Sequence, residues 1–300
     1  MTERPIDLPL GLHKGVRFED YGRQKGVNAS LLKTVHNHSL AHAKAQLEGK
    51  FKQSSDALDF GTSFHELLLR GRKDYIIRPS TYAAPPKHEK VKAGVVKEGD
   101  PLPWNANAAA CKAWLAEMAG ASTILSEEDA ADIEAMVAAV RSEADLALYL
   151  NDTTDCEVAA ICDKNGQRMK AMIDLLPNGE DSPVIDFKSA GSAKPERFIK
   201  DVANFGYDMQ MAFYLDVLRE LGQKRQHFWI VAVESSAPHA ACVYKFTDEP
   251  VSFIWSGRRK YREAMDRYVT AKETQCWPGY GSIHTPEHFA PHWMKEELVG

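Results

Sequence analysis

Between residues 155 and 189 the hydrophobic repeat changes from helical to strand period, and two Asn-Gly pairs, Asn165-Gly166 and Asn178-Gly179, punctuate the change. Asn-Gly is the preferred content of a tight hairpin turn, because both central positions need positive φ. The pattern predicts a three-strand meander at 156–163, 168–176 and 183–189. Before it the apolar spacing is helical at 29–47, 58–69, 106–118 and 126–150, the last opened by Ser126 with Asp129 three residues on, a capping box. After it come helices at 194–203 and 208–221, strands at 226–234 and 240–246, and a long helix at 251–270. Residues 78–103, rich in Pro, Gly and Lys, read as an exposed loop. Strands set among helices imply an α/β or α+β fold with a central mixed sheet flanked by helices. The expected organisation is one domain over 1–300, in which a mostly helical N-terminal extension, 1–150, precedes the sheet and C-terminal helices, 151–300.

Composition removes several classes of function. With 300 residues, 44% of them hydrophobic, the chain can bury a sizeable core. It has no apolar run of the roughly 18 residues that a membrane helix needs. Its first fifteen residues lack the apolar centre of a signal peptide, so a cytoplasmic location without a membrane partner is expected. Cys111, Cys156, Cys162, Cys242 and Cys276 form no CxxC pair, which argues against a zinc ribbon, an iron–sulfur cluster or a disulfide framework. No phosphate-binding G-x-x-x-x-G-K-[ST] loop occurs, so no nucleotide cofactor or helicase motor is expected. A net charge of −5 does not suit a protein that coats nucleic acid unspecifically. Residues 121–186 carry fifteen acidic against four basic side chains, but many of the acids lie on the predicted 126–150 helix. The charge map therefore fits a solvated helix as well as it fits a metal site.

The chemistry concentrates in Ala171-Met172-Ile173-Asp174 and Val184-Ile185-Asp186-Phe187-Lys188. On a strand, Asp186 and Lys188 emerge on one face while Ile185 and Phe187 point to the other. A short connection lets Asp174 lie beside Asp186, so that two carboxylates converge on one point. Carboxylate oxygens suit Mg²⁺, with Mn²⁺ as a substitute, and phosphodiester hydrolysis needs such a cation to neutralise the phosphate and lower the pKa of the attacking water. A nearby lysine, Lys188, would orient or deprotonate that water and stabilise charge growing on phosphorus. Taken alone, Asp-x-Lys on a strand is also an ordinary salt-linked edge; the upstream acid is what favours the catalytic reading.

With Asp174, Asp186, Phe187 and Lys188 in place, the sequence resembles the PD-(D/E)XK nuclease superfamily. Three further segments are similar to its RecB-like and RecE-like branch: Gly61-Thr62-Ser63-Phe64-His65-Glu66-Leu67-Leu68-Leu69, Gln210-Met211-Ala212-Phe213-Tyr214, and the ending Trp277-Pro278-Gly279-Tyr280 with Pro291-His292-Trp293. The resemblance implies that His65 approaches the metal with Asp174, Asp186 and the Phe187 backbone carbonyl, and that Gln210 and Tyr214 belong to the catalytic set. By themselves His65 reads equally as a core histidine, and Gln210 with Tyr214 as one polar helix face. Gly61, one turn before His65, clears room for a backbone or a metal. Glu66 points about a third of a turn away, and Glu157, on the first strand, is a further acid near the metals or an exposed strand glutamate. Lys170 shares a strand face with Met172 and reads as a phosphate contact or as charge balance. Arg258, Arg259 and Lys260, with Arg262, Trp255 and Tyr261, read as a grip on the DNA backbone or as a solvated helix face.

The activity so implied is a Mg²⁺-dependent exonuclease that degrades linear double-stranded DNA 5′-to-3′ and leaves single strands for recombination by annealing. Its partners would be duplex DNA, a RecT-like single-strand annealing protein and further copies of itself in a ring. A structure-specific or endonucleolytic repair nuclease and a catalytically silent DNA-binding protein are the alternatives.

Overall fold

The structure is a computed structural model that describes residues 7–51, 56–118, 120, 123–150 and 156–281; of the segments singled out above, Pro291-His292-Trp293 lies outside these. The chain opens with β1 (Gly11–His13), α1 (Phe18–Arg23), α2 (Ala29–Asn37), α3 (Leu40–Leu47) and α4 (Asp56–Arg70). There follow β2 (Tyr75–Ile77), β3 (Thr81–Ala83), α5 (Glu89–Lys92), β4 (Pro101–Pro103), α6 (Ala109–Glu117), β5 (Thr123–Leu125) and α7 (Glu127–Ser142), then a 3₁₀ turn (Ala144–Leu146) and α8 (Ala147–Leu150). The second half holds β6 (Cys156–Lys164), β7 (Gln167–Leu175), β8 (Val184–Ala190), α9 (Pro195–Asn204), α10 (Tyr207–Glu220), β9 (His227–Glu234), β10 (Ala241–Thr247) and α11 (Phe253–Thr274).

The periodicity at 29–47 is broken in two, because His38 leaves helical geometry and Ser39 starts a new helix by accepting the His42 N–H. Asn28 caps α2 in the same way through the Leu31 N–H. The capping box at Ser126 and Asp129 is present. The 78–103 segment is not all loop: β3 and β4 pair across it and α5 sits between them.

Six strands form one mixed sheet in the order β1-β6-β7-β8-β9-β10, mostly antiparallel, with β8 and β9 parallel. β6 and β7 are a full hairpin whose turn, Asn165-Gly166, has positive φ at both residues. The third strand departs from the expected meander. β7 and β8 share only the Leu175–Ile185 pair before they diverge, and β8 runs instead along β9 for its whole length. Their connection, 176–183, is too long for a two-residue turn, although Gly179 does adopt positive φ.

Apolar side chains alternate between the two faces of this sheet. Val184 joins a core made with α2, α9, α10 and α11, while Ile185 and Phe187 join a second core with Phe64, Leu68 and Leu69 of α4 and Ile133, Met136 and Val140 of α7. Leu31, Leu32 and Val35 of α2 are buried in the first of these, so the first half of the chain is built into the core and does not merely extend it. Among the described residues no helix is long and apolar enough to cross a membrane.

Candidate active site

The fork where β7 and β8 part positions the acidic residues. In an antiparallel pair anchored at Leu175–Ile185, the next two residues to face one another are Asp174 and Asp186. The ladder stops there, so the Phe187 N–H is free of β7 and donates to Asp174 Oδ2 at 2.9 Å. Asp186 is 3% exposed, an unusual burial for a carboxylate, and both its oxygens are engaged. Gln210 Nε2 donates to Oδ1 at 2.7 Å, and Lys188 Nζ lies 2.6 Å from Oδ2.

α4 brings the histidine. Phe64 and Leu68 anchor this helix on the second core, and Gly61 lets it settle on β8: a Cβ there would meet Ser189 Oγ at 3.4 Å. The room Gly61 clears is therefore filled by β8. His65 Nε2 is 2.9 Å from the Phe187 carbonyl oxygen, to which it donates, and Nδ1 is 3.6 Å from Asp174 Oδ2. From α10, Gln210 reaches Asp186, and Tyr214, one turn later, sits against Gln210. Tyr207, at the start of α10, turns its ring under Lys188, whose ammonium lies 5.1 Å from the ring centre.

Burial and neighbouring charges set the ionisation of this cluster. Burial opposes a charged His65, but Asp174 outweighs it and raises the pKa above the usual imidazole range. Asp174 is held below the usual carboxylate range: burial works against its charge, while His65 and Lys188 favour it more strongly. Asp186 is pushed up, first by burial and, against the pull of Lys188, by Asp174. Lys188 suffers from burial as well, yet Asp186 and Asp174 together lift it above the ordinary lysine range, so it is an ammonium at neutral pH. Tyr214 is raised well above the usual phenol range, by burial first, and keeps its proton.

His65, Asp174, Asp186 and the Phe187 carbonyl converge on one place and offer oxygen donors and one imidazole, a set that fits a hard divalent cation. Among the described residues no three His, Cys, Asp or Glu side chains form a preformed metal cage. The Lys188 ammonium sits 2.6 Å from Asp186 Oδ2.

Other candidate residues lie elsewhere, and each has its own partners. Glu157 is 7% exposed, has positive φ where it lies opposite Asp174 in the β6–β7 register, and is ion-paired to Arg70 of α4. That pairing ties α4 to β6, and Glu157 is not an exposed strand residue. Lys170 does not face phosphate. It is 5% exposed, and its ammonium donates to the carbonyls of Tyr21, Gly22 and Gln24 at 3.0, 3.2 and 2.6 Å, because the N-terminal segment covers that face of β7. The basic run of α11 is largely spent inside the molecule as well. Arg258 binds Asp216 and Asp248, and Lys260 binds Asp208 at 2.6 Å, whereas Arg259, stacked on Trp255, and Arg262, paired with Asp216, remain exposed. Glu66 keeps one buried oxygen, Oε2, without a hydrogen-bond partner.

Two residues at the site, Tyr207 and Lys33, were not legible in the sequence. Lys33 of α2 places its ammonium 3.5 Å from Gln210 Oε1 and 5.7 Å from the centre of the Tyr207 ring, beside Lys188. The apolar pattern of α2 assigns it to a polar helix face, and nothing local to the sequence links it to a residue 177 positions away.

The search of curated proteins finds no match. Among solved structures, the chain is similar to a Eubacterium rectale protein described as a candidate exonuclease. The TM-score is 0.60 at 15% identity, with 96% of this chain and 100% of that one covered, which is likeness of fold. The model of the family described as a PDDEXK-like domain of unknown function (DUF3799) matches residues 28–286, a span that includes α2, α4, the β7–β8 fork and α10. The chain belongs to this PDDEXK-like family and has the fold of the PD-(D/E)XK nuclease superfamily.

Proposed function

We propose that this protein is a divalent-metal-dependent deoxyribonuclease, acting as an exonuclease on the ends of linear double-stranded DNA. The observation that carries the reading is the convergence of Asp174, Asp186 and Lys188 at one fork of the sheet, with His65 and the Phe187 carbonyl facing it from α4 and β8. Two acids and a buried ammonium within hydrogen-bonding reach are what the protein must contribute to metal-assisted phosphodiester hydrolysis.

His65, Asp174, Asp186 and the Phe187 carbonyl would hold Mg²⁺, with Mn²⁺ as a substitute. When bound, the ion supplies charge neutralisation at the phosphate and a water of lowered pKa. Lys188 serves as a fixed positive charge next to the reacting phosphate, since its neighbours keep it protonated. Gln210 orients Asp186, and Tyr214 supports Gln210 from the same helix face. Within this proposal fall a 5′-to-3′ direction, a role in recombination with a RecT-like annealing protein, and a ring of copies around the duplex.

The test uses linear duplexes labelled at one 5′ or one 3′ end, and a covalently closed circle, with Mg²⁺ and with chelator. The expected result is metal-dependent early release of the 5′ label with the circle intact. Cutting of the circle would replace the exonuclease by an endonuclease, and binding without any release would make the protein a DNA-binding relative.

A further inference from the structure

Two lysines flank the Tyr207 ring at the candidate site, and they differ in how their charge is held. Lys188 is locked to Asp186 at 2.6 Å. Lys33 reaches only the neutral Oε1 of Gln210, at 3.5 Å, and has no carboxylate within salt-bridge distance among the described residues. The fold pays attention to this side chain all the same. Its stem lies against Gly206, which opens α10 in the left-handed region at φ +64, and a Cβ at Gly206 would come within 2.9 Å of Lys33 Cδ and 3.1 Å of Cγ. Leu32 and Val35, on either side of Lys33 in sequence, are fully buried, so the helix that carries it is firmly seated.

Holding a second ammonium next to Lys188 is unfavourable without an anion. Burial, and then the charge of Lys188, bring Lys33 down to about 8, against the weaker opposing pull of Asp186 and Asp208. An anion between the two would relieve that repulsion. We propose that Lys33 is a second phosphate-binding lysine of the active site, contacting a non-bridging oxygen of the scissile phosphodiester or of its immediate neighbour in the bound strand. Gln210 is the hinge of this arrangement: one end of its amide holds Asp186 and the other steers Lys33. The inference rests on the nuclease reading, but it predicts a binding signature that cleavage alone does not provide.

The alternative is that Lys33 only positions Gln210. Two substitutions separate the roles: Lys33→Gln can keep a hydrogen bond to Gln210 while losing the charge, and Lys33→Arg keeps the charge. Each is placed in an Asp174→Asn background, and binding of a linear duplex is measured by fluorescence anisotropy over a salt series with Mg²⁺. Loss of one phosphate contact should make Lys33→Gln bind about fivefold more weakly at low salt and flatten the dependence of log K on log salt by about 0.9. Lys33→Arg should keep the parental slope. An unchanged slope in Lys33→Gln overturns the proposal, whatever happens to cleavage. If the protein with Asp174 and Lys33 both intact cuts DNA and that slope is unchanged, only the Lys33 assignment fails; if it never cuts, the nuclease reading fails while the salt series still reports on Lys33. Should Lys33→Gln melt before binding can be read, Lys33→Met in the same background is measured, with the same slope deciding.

Discussion

Lys188 and Lys170 are two near-buried ammonium groups on neighbouring strands, and their partners give them opposite meanings. Lys188 faces two carboxylates and is held above the ordinary lysine range, so replacing it removes a charge from the candidate site. Lys188→Met should lower single-turnover cleavage by about 10²–10³-fold, the usual scale for one electrostatic stabiliser, while duplex affinity changes much less. Comparable cleavage by Lys188→Met would remove it from the chemistry. Lys170 faces three backbone carbonyls and, through burial, comes down to about 8. Lys170→Met leaves those carbonyls without a donor and should cost about 2–4 kcal/mol at pH 7 in urea unfolding. Below pH 8 the proton is bound in both folded and unfolded chains. Between 8 and the unfolded value of 10.5 the unfolded chain holds a proton that the folded one has lost, so the parent should gain stability relative to Lys170→Met as pH rises through this window. A difference that shrinks there would mean that the carbonyls hold the proton more strongly than burial expels it. Strand alternation made Asp174, Asp186 and Lys188 legible. It could not distinguish them from Lys170, because alternation assigns a residue to a face and does not tell what covers that face.

The helices that complete the site are fixed by contacts at the scale of whole elements. α10 carries Gln210 and Tyr214, and α11 crosses its first turn at Gly257, where an added Cβ would lie 2.0 Å from the Asp208 carbonyl oxygen. Further along, the buried Asp216 of α10 gathers Arg258, Tyr261 and Arg262 of α11, so that these members of the basic run tie the two helices together. Gly257→Ala must push the helices apart and should cost about 1–3 kcal/mol or more. The displaced atoms are two residues from Gln210, so cleavage should fall along with melting temperature, and an unaltered rate at reduced stability would show that the site tolerates movement of α10. Here the sequence is only half informative. The hairpin of β6 and β7 could be read from Asn165-Gly166, and most helix bounds from their apolar spacing. The parallel pairing of β8 with β9 could not, since it depends on α9 and α10 returning the chain across one face of the sheet.

At the scale of the molecule, the candidate site is a meeting of segments remote in sequence. His65 is 122 positions from Phe187, and Lys33 is 177 from Gln210. The composition and the change of periodicity suggest a helical first half attached to a sheet-bearing second half, because a linear reading shows no partner for either. The packing says otherwise. α2 contributes Leu31, Leu32 and Val35 to the core that α10 and α11 share, and α4 and α7 cover the opposite sheet face through Phe64, Leu68, Ile133 and Met136. Without residues 1–150 both faces of the sheet would lose apolar cover, and the Glu157 carboxylate would lose Arg70. A fragment of residues 151–300 keeps Asp174, Asp186, Lys188, Gln210 and Tyr214, yet we expect it to show no cooperative thermal transition and to bind a hydrophobic dye, and expect the 300-residue chain to unfold in one step. A fragment that unfolds cooperatively would mean that the sheet and its C-terminal helices form an independent unit. The first half would then be a cover that delivers His65 and Lys33 to a site already folded.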